Sequence, residues 1–491
     1  MDYVSLTVIL MSVSSLLLPI FLFDPKRRER EPAYFLGVVL AASLLMIGIN
    51  TIYPAPGTIF GSLLASDRLG GIFALTTLFV TLIVVIVSTY TKRGPNTPAY
   101  YSLLSFTALG MVLLSYSQDL LIIFVAWELM SLPTYVLAGF NKRSMESNEA
   151  SVKYAVIGAM SSAIILYAIS LTYGLTGTTQ ISAVVQALST QPLTLATSVA
   201  VLLFVTGFGF KMSIVPFHMW IPDAYEGAPI IVSTLLAAAT KKAGFVSAIR
   251  VLLAISTFYV LTQNPIFTLP NVFAGLALVT MTLGNLAALT QKSMTRLLAY
   301  SSIAQAGYIL IGFVIYSYGI QNSAFLREAS LGITGALFHI VNHAIMKGVA
   351  FLAAGLVLLQ LHRGDVQAYD GLSRRMPFTA ITLSVAFLAL AGVPPLSGFW
   401  SKLLLFLSVI NGPFAWLAVA GVLNSAFSLG YYAWIIKRMY LDEPETAEKV
   451  NEPYTYLVIF AVSIGLIIGF GVFPDGIINF LSGAFTNIAP H

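Results

Sequence analysis

Cysteine is absent from the 491 residues, so no disulfide, iron–sulfur cluster or thiolate metal site can be built from this chain alone. Charge is nearly as scarce. Acidic and basic residues together make up 9% of the chain, where an ordinary soluble domain carries about a quarter. A soluble protein of this length would need acids and bases over several domain surfaces. Their scarcity excludes most soluble enzymes and any electrostatic binder of nucleic acid. A glycine-rich phosphate loop with its lysine is also missing, so the sequence shows no ATP-driven machinery. No nucleophile–base constellation stands out.

Apolar residues fill the chain instead, at 58%. A bilayer span takes about 20 of them. Apolar stretches bounded by polar or Gly/Pro punctuation fall near 4–23, 33–52, 70–90, 99–117, 120–140, 153–174, 194–216, 228–260, 271–290, 296–317, 330–361, 377–411, 415–436 and 454–474, fourteen in all. They read as helices, because a span in lipid must satisfy its own backbone hydrogen bonds. The first has no basic residue before it and no clear small-residue cleavage site, so it reads as a retained span and not a signal peptide. The expected fold is an all-α polytopic membrane protein with about 14 transmembrane helices.

Fourteen crossings put both termini on one side. Seventeen of the 25 bases fall in alternate connections: Lys26, Arg27, Arg28, Arg30, Lys92, Arg93, Lys142, Arg143, Lys153, Lys292, Arg296, Arg363, Arg374, Arg375, Lys437, Arg438 and Lys449. The other connections hold only Arg68 and Arg327. By the positive-inside rule the first set is cytoplasmic and both termini face out of the cell membrane.

The stretches 228–260 and 377–411 are too long for one straight span. The second contains Gly392-Val393-Pro394-Pro395, and 194–216 runs into Pro216 and then Pro222. These four prolines are the expected helix-break and packing positions. Interrupted segments at matching places in two halves point to inverted repeats with a transport site between them. The repeats would be helices 4–8 and 9–13, with helices 7 and 12 interrupted. The whole chain, 1–491, then reads as a single membrane domain. It comprises 1–98 (helices 1–3), 99–260 (first repeat), 271–438 (second repeat) and 454–491 (helix 14 and the C-terminal stretch).

Six bases remain inside the apolar stretches: Lys211, Lys241, Lys242, Arg250, Lys347 and Lys402. The one acid in a span interior is Glu128. A charge at mid-membrane costs about 2.5–3.5 kcal/mol even on the lenient insertion scale, so these seven need partners, water or a function. Arg250 is expected to snorkel to the headgroups. Lys241 and Lys242 point about 100° apart, so at most one can face a shared interior axis. Glu128 has no basic neighbour in its own helix and needs a partner from another. His339, His343 and Lys347 repeat at four-residue spacing and line one helical stripe. A lysine one turn beyond two histidines would repel a metal cation. Histidine titrates near neutrality, so the stripe suits proton conduction, with buried hydrogen-bonded histidines as the structural alternative. The charge pattern supports an ion translocator.

The chain resembles a known family in several runs. Ser117-Gln118-Asp119-Leu120-Leu121 leads into the helix of Trp127-Glu128-Leu129. Leu132-Pro133-Thr134-Tyr135-Val136-Leu137-Ala138-Gly139-Phe140 and Glu149-Ala150-Ser151-Val152-Lys153-Tyr154 follow. The most specific run is Phe217-His218-Met219-Trp220-Ile221-Pro222-Asp223-Ala224-Tyr225-Glu226-Gly227-Ala228-Pro229; the last is Gly398-Phe399-Trp400-Ser401-Lys402. These resemble the antiporter-like membrane subunits of complex I-type respiratory enzymes, subunit N most closely. The resemblance implies that Glu128 pairs with Lys211, that Lys241 links two half-channels and that Lys402 is the terminal lysine of the outer exit. Lys402 stands where subunit M has glutamate, and the chain ends soon after its fourteenth span, unlike the longer subunit L. His339, His343 and Lys347 look more like helix 11 of subunits M and L or of multisubunit sodium/proton antiporters. The implied function is proton pumping coupled to quinone or methanophenazine reduction elsewhere in the complex. The alternative is a subunit of a sodium/proton antiporter or membrane-bound hydrogenase. The chain itself would hold no cofactor, metal or redox centre. Quinone, flavin and iron–sulfur clusters are expected in partner subunits. Its partners would be neighbouring membrane subunits, the lipid bilayer, and protons or sodium ions, with no nucleic acid.

Because the chain has no native cysteine, single cysteines report sidedness on a clean background. Arg28→Cys and Arg375→Cys should be labelled by an impermeant thiol reagent only from the cytoplasm, and Thr178→Cys only from outside. Cytoplasmic labelling at 178 would overturn the topology.

Overall fold

The computed structural model describes residues 2–23, 29–53, 57–90, 96–190, 194–257, 267–446, 448–485 and 488. Lys26, Arg27, Arg28, Lys92 and Arg93 lie outside the described residues, as does the 258–260 end of the eighth apolar stretch. The described chain is helical apart from one hairpin, β1 (Gly57–Ile59) paired antiparallel with β2 (Leu64–Ser66). It divides into two compact units. One comprises Met1–Met212, Gly227–Leu269 and Gly483–His491; the other comprises Ser213–Glu226 and Pro270–Ser482.

The first unit holds α1 (Tyr3–Leu17), α2 (Glu31–Ile52), α3 (Arg68–Ser88), α4 (Thr97–Tyr116), α5 (Leu120–Ala138), α6 (Met145–Thr176), the short α7 (Ile181–Ser189) and α8 (Leu195–Met212). Several starts are set by side-chain caps that take up otherwise unbonded N–H groups. Asp67 accepts from Gly70 N at 2.7 Å, Asp119 from Leu121 N and Ile122 N, and Ser144 from Ser147 N.

After α8 the helix stops. Residues 213–219 are not helical, and α9 (Trp220–Gly227) follows in the second unit. Pro216 lies in the break. Pro222 does not interrupt a helix. It sits in the first turn of α9, where a missing N–H and a fixed φ cost nothing.

The eighth crossing, Ile230–Ser256, is one continuous helix, although the stretch 228–260 is too long for one straight span. It absorbs its length in two π-helical turns. α10 (Ile230–Leu235) passes through the turn Leu236–Thr240 into α11 (Lys241–Ala248), and a second turn spans Ile249–Leu253.

The second unit contains α12 (Leu269–Leu289), α13 (Met294–Gly319), α14 (Leu326–Leu361) and the one-turn α15 (Leu372–Arg375). It continues with α16 (Pro377–Ala391), α17 (Ser397–Val409), α18 (Ala415–Leu441), α19 (Tyr454–Val472) and α20 (Pro474–Ser482). Thirteen helices among the described residues are long and apolar enough to cross a bilayer. α16 and α17 have 15 and 13 residues, about 20 Å each at 1.5 Å per residue. Each is too short alone; in series they make the broken twelfth span and bring the crossings to fourteen.

The connections check this count, because those of like parity must meet at one end. In the first unit the even ones touch. Gln118 N donates to Leu63 O at 2.9 Å, Leu120 N to Thr179 O at 2.8 Å, and Thr179 Oγ1 to Asp119 at 2.6 Å. In the second unit the odd ones touch. Met294 N donates to Gly364 O at 3.0 Å, Val366 N to Lys292 O at 2.9 Å and Val450 N to Arg375 O at 3.0 Å. Arg296 bonds Asp223 at 2.8 Å and Glu226 at 2.9 Å.

Arg250 does not snorkel. It is 5% exposed, and its guanidinium forks onto Asp67, with Nη1 donating to Oδ2 at 2.6 Å and Nη2 to Oδ1 at 2.8 Å. Nη2 and Nε also donate to Ser115 O, at 2.6 and 3.2 Å. A buried guanidinium needs a partner at contact distance, and here the N-cap carboxylate of α3 supplies it.

Arg250→Leu should therefore destabilise the assembled protein by about 3–5 kcal/mol, because it leaves the Asp67 charge buried and unpaired. Adding Asp67→Asn should recover most of that loss, since asparagine removes the charge and still caps α3. Thermal inactivation in detergent measures both; equal stability of the single and double variants would refute this account.

Candidate functional site

The seven candidate proton-transfer residues, Glu128, Lys211, Lys241, His339, His343, Lys347 and Lys402, fall into two clusters, one in each unit. In the first, Lys211 lies at the C-terminal end of α8 and is 1% exposed. Its ammonium donates to Tyr154 Oη of α6 at 2.6 Å and to Ser131 Oγ of α5 at 3.2 Å. Tyr154 Oη also bonds Thr134 Oγ1 at 3.1 Å, and the Tyr154 ring packs edge-on against Tyr135 with centroids 4.6 Å apart. Glu128 stands one turn before Ser131 on α5. It is half-buried, its Oε1 has no hydrogen-bond partner, and it acts on Lys211 electrostatically. Among the described residues no ion pair joins Glu128 to Lys211. The direct pairing implied by the resemblance is replaced by hydroxyl contacts, with the carboxylate farther off.

Lys241 and Lys242 open α11 and are both buried. Gly244, on the same face as Lys241, approaches α8 so closely that a Cβ there would lie 3.0 Å from Lys211 Cβ. That face of α11 is therefore turned to the lysine of α8. Lys242 points elsewhere, and its Nζ donates to Ala237 O at 3.3 Å, inside the π-turn. The wider turn leaves a carbonyl open for it.

In the second unit the stripe on α14 lies against a polar stripe on α13. Lys347 donates to Ser301 Oγ and, at 3.0 Å, to Leu298 O. His343 Nε2 is 3.4 Å from Ser302 Oγ. His339 Nε2 is 2.8 Å from Gln305 Oε1, and its Nδ1 is 2.9 Å from Ser401 Oγ of α17. Moving back along α14 from 347 to 343 to 339 meets 301, 302 and 305 on α13, as two antiparallel helices require. All of these side chains are fully buried.

Lys402 owes its position to the double proline. In a continuous helix the carbonyls of Leu390 and Ala391 would accept from the N–H groups four residues on, at Pro394 and Pro395, and proline has none. Those two carbonyls accept from Lys402 Nζ, at 2.9 and 3.1 Å, and Ser425 Oγ completes the set at 3.2 Å. The carbonyl end of α16 also carries the negative pole of its helix dipole. Gly392 turns the chain at φ +90, and a Cβ there would press on Lys402 Cδ at 3.0 Å. The Lys402 ammonium lies 4.4 Å above the Tyr308 ring. Beyond it, Asn285 Nδ2 bonds Tyr308 Oη at 3.2 Å and Asn424 Oδ1 at 3.1 Å, while Tyr431 Oη donates to Asn285 Oδ1.

The sequence reading missed Ser131, Tyr154, Ser301, Ser302, Gln305, Tyr308, Ser401 and Ser425. Their signal was available as hydroxyl and amide residues at 301, 302, 305 and 308, on one face of an otherwise apolar span.

Residues 117–428 match the family described as NADH:quinone oxidoreductase/Mrp antiporter, TM. The chain belongs to this family. All seven site residues lie inside the matched segment. The chain is 39% identical over 472 residues to F(420)H(2) dehydrogenase subunit N of Methanosarcina mazei, covering 93% of this chain and 91% of the relative. It is 38% identical over 421 residues to NADH-quinone oxidoreductase subunit N of Desulfitobacterium hafniense, covering 82% of each. A chain of respiratory complex I from Thermus thermophilus superposes with a TM-score of 0.80 at 29% identity, covering 97% of this chain and 99% of that one. These likenesses place the chain among the antiporter-like N subunits of complex I-type oxidoreductases, which work within multisubunit membrane complexes.

Proposed function

We propose that the chain carries protons across the cytoplasmic membrane, with both termini on the outer side and no redox chemistry of its own. The driving reaction is reduction of a quinone or methanophenazine in partner subunits, which hold the flavin, iron–sulfur clusters and quinone site. Relatives named NADH-quinone oxidoreductase subunit N support the quinone in that reading. The observation that carries the proton reading is the buried row of Lys347, His343, His339 and Lys402. Each is bonded to neutral groups, namely hydroxyls, an amide or main-chain carbonyls. Such partners satisfy N–H donors without adding a counter-charge, and hydroxyls can both give and take a hydrogen bond. In the first unit Lys211, with hydroxyls in contact and Glu128 at electrostatic range, has the same character. Lys241 joins it as the residue on the facing side of α11.

Two substitutions test this. Glu128→Gln removes the carboxylate that acts on Lys211 and should abolish most proton pumping in inverted vesicles while the complex still assembles. Wild-type pumping by a well-assembled variant would remove Glu128 from the mechanism. Lys402→Arg keeps the charge but not the exchangeable proton, because arginine does not deprotonate in proteins. Pumping per assembled complex should fall nearly as far in Lys402→Arg as in Lys402→Ala, with assembly better preserved in the arginine variant. A lysine with only a packing role would show the reverse order.

A further inference from the structure

We propose that Gln305 fixes the tautomer of His339, so that Nδ1, facing Ser401, is the ring nitrogen that takes up and gives back the proton. The inference rests on the proton-carrying reading above and names the atoms through which it works.

A main-chain carbonyl can only accept a hydrogen bond. Gln305 Nε2 lies 3.1 Å from Leu390 O, so the amide must present its NH2 to that carbonyl. The reversed amide would set two acceptors against each other. Gln305 Oε1 is then the atom 2.8 Å from His339 Nε2. An amide oxygen also only accepts, so Nε2 carries a hydrogen in every protonation state that keeps this contact. The anchor of the lock is the carbonyl that Pro394 frees, and Lys402 shares it at 2.9 Å. Two donors fill its two lone pairs.

Nδ1 is left as the variable nitrogen. Its partner, Ser401 Oγ, stands 2.9 Å away and has a second partner in Gly398 O at 3.1 Å. A hydroxyl has one hydrogen and two lone pairs, which allows two arrangements on the same heavy atoms. With His339 neutral, Ser401 O–H donates to Nδ1. With His339 charged, Nδ1–H donates to Ser401 Oγ, and the hydroxyl turns to Gly398 O. The proton comes from a hydronium ion of a water chain, which is left as water, and returns to water in the reverse step. Only hydrogen bonds change; the Ser401 O–H bond stays intact. The other titratable rings around His339 are Tyr308, with centroids 6.2 Å apart, and His343, at 6.4 Å. Gln305 and Ser401 are both fully buried, so bulk water does not compete for these bonds.

The test is the nitrogen NMR spectrum of the assembled complex in lipid, with 15N-histidine incorporated and the His339 signals isolated by difference against His339→Asn. At a pH where the ring is neutral, the wild type should show a protonated Nε2 and a bare Nδ1. Gln305→Met, similar in size but unable to accept from Nε2, should give a mixed or reversed tautomer and lower pumping by about tenfold or more. Gln305→Glu, which as the protonated acid keeps a donor toward Leu390 O and an acceptor toward Nε2, should keep the wild-type tautomer. Ser401→Ala should also keep it while slowing pumping, and it carries the test if Gln305→Met fails to assemble. A wild type protonated at Nδ1, an unchanged spectrum in Gln305→Met, or normal pumping by Ser401→Ala would overturn the inference. A changed tautomer in Gln305→Met with undiminished pumping would leave the lock standing and overturn the proton route through His339.

Discussion

A buried ammonium or imidazolium group must be solvated by something other than water, and the helices of this protein are shaped around that requirement. An unbroken α-helix keeps its N–H groups for itself and offers a buried cation only the second lone pair of a carbonyl, as Leu298 O offers Lys347. At Lys402, Lys242, Lys211 and Lys347 the helix is opened or a hydroxyl is supplied. The double proline opens α16 for Lys402. The π-turn opens the eighth crossing for Lys242. Ser131 and Tyr154 serve Lys211, and Ser301 serves Lys347. Arg250 is the exception that shows the alternative. Its contact with the Asp67 carboxylate is bidentate and anchored to the backbone at Ser115, the geometry of a strut. A fixed pair of that kind has no acceptor left over through which a proton could pass.

The pairing of α13 with α14 turns this local chemistry into a line. Each member of the 339, 343, 347 stripe finds a polar side chain on α13, and the register is held because both stripes sit on single faces of long helices. A shift of one residue on either helix would rotate its stripe by about 100° and break the matched contacts. The stripe thus contributes to the specificity of packing as well as to function. Buried polar networks have that effect when every member is satisfied.

The crossings, their parity and the buried bases were legible in the sequence because each follows from composition: apolar length, alternating loop charge, and a base where none belongs. The partners were not legible. Asp67 lies 183 residues from Arg250, and nothing in either neighbourhood announces the other, so a snorkelling arginine was the natural expectation. Serine, glutamine and tyrosine inside a span look like ordinary packing residues until the facing helix is known, which hid the acceptors of Lys211, Lys347 and His339. The resemblance implied that Glu128 pairs directly with Lys211. The structure interposes neutral hydroxyl contacts, a choice that depends on the relative depth of α5, α6 and α8. The receptor of Lys402 could have been read from the sequence. Two consecutive prolines strip two donors, and the carbonyls they orphan can be named by subtracting four.

That subtraction explains why a lysine suits position 402. Two carbonyl oxygens and the end of a helix dipole form an environment of negative potential that no ionisable group has created. A carboxylate placed there would face carbonyl oxygens on two sides and find only the Ser425 hydroxyl as a donor. An ammonium finds three acceptors, counting Ser425. The break therefore selects the sign of the residue that enters it, and through Leu390 O it ties that residue to the amide that orients His339. Proline at 394 thus acts on the histidine through two hydrogen bonds without touching it. The positions of Lys402 and of the His339 ring are consequences of the same missing N–H.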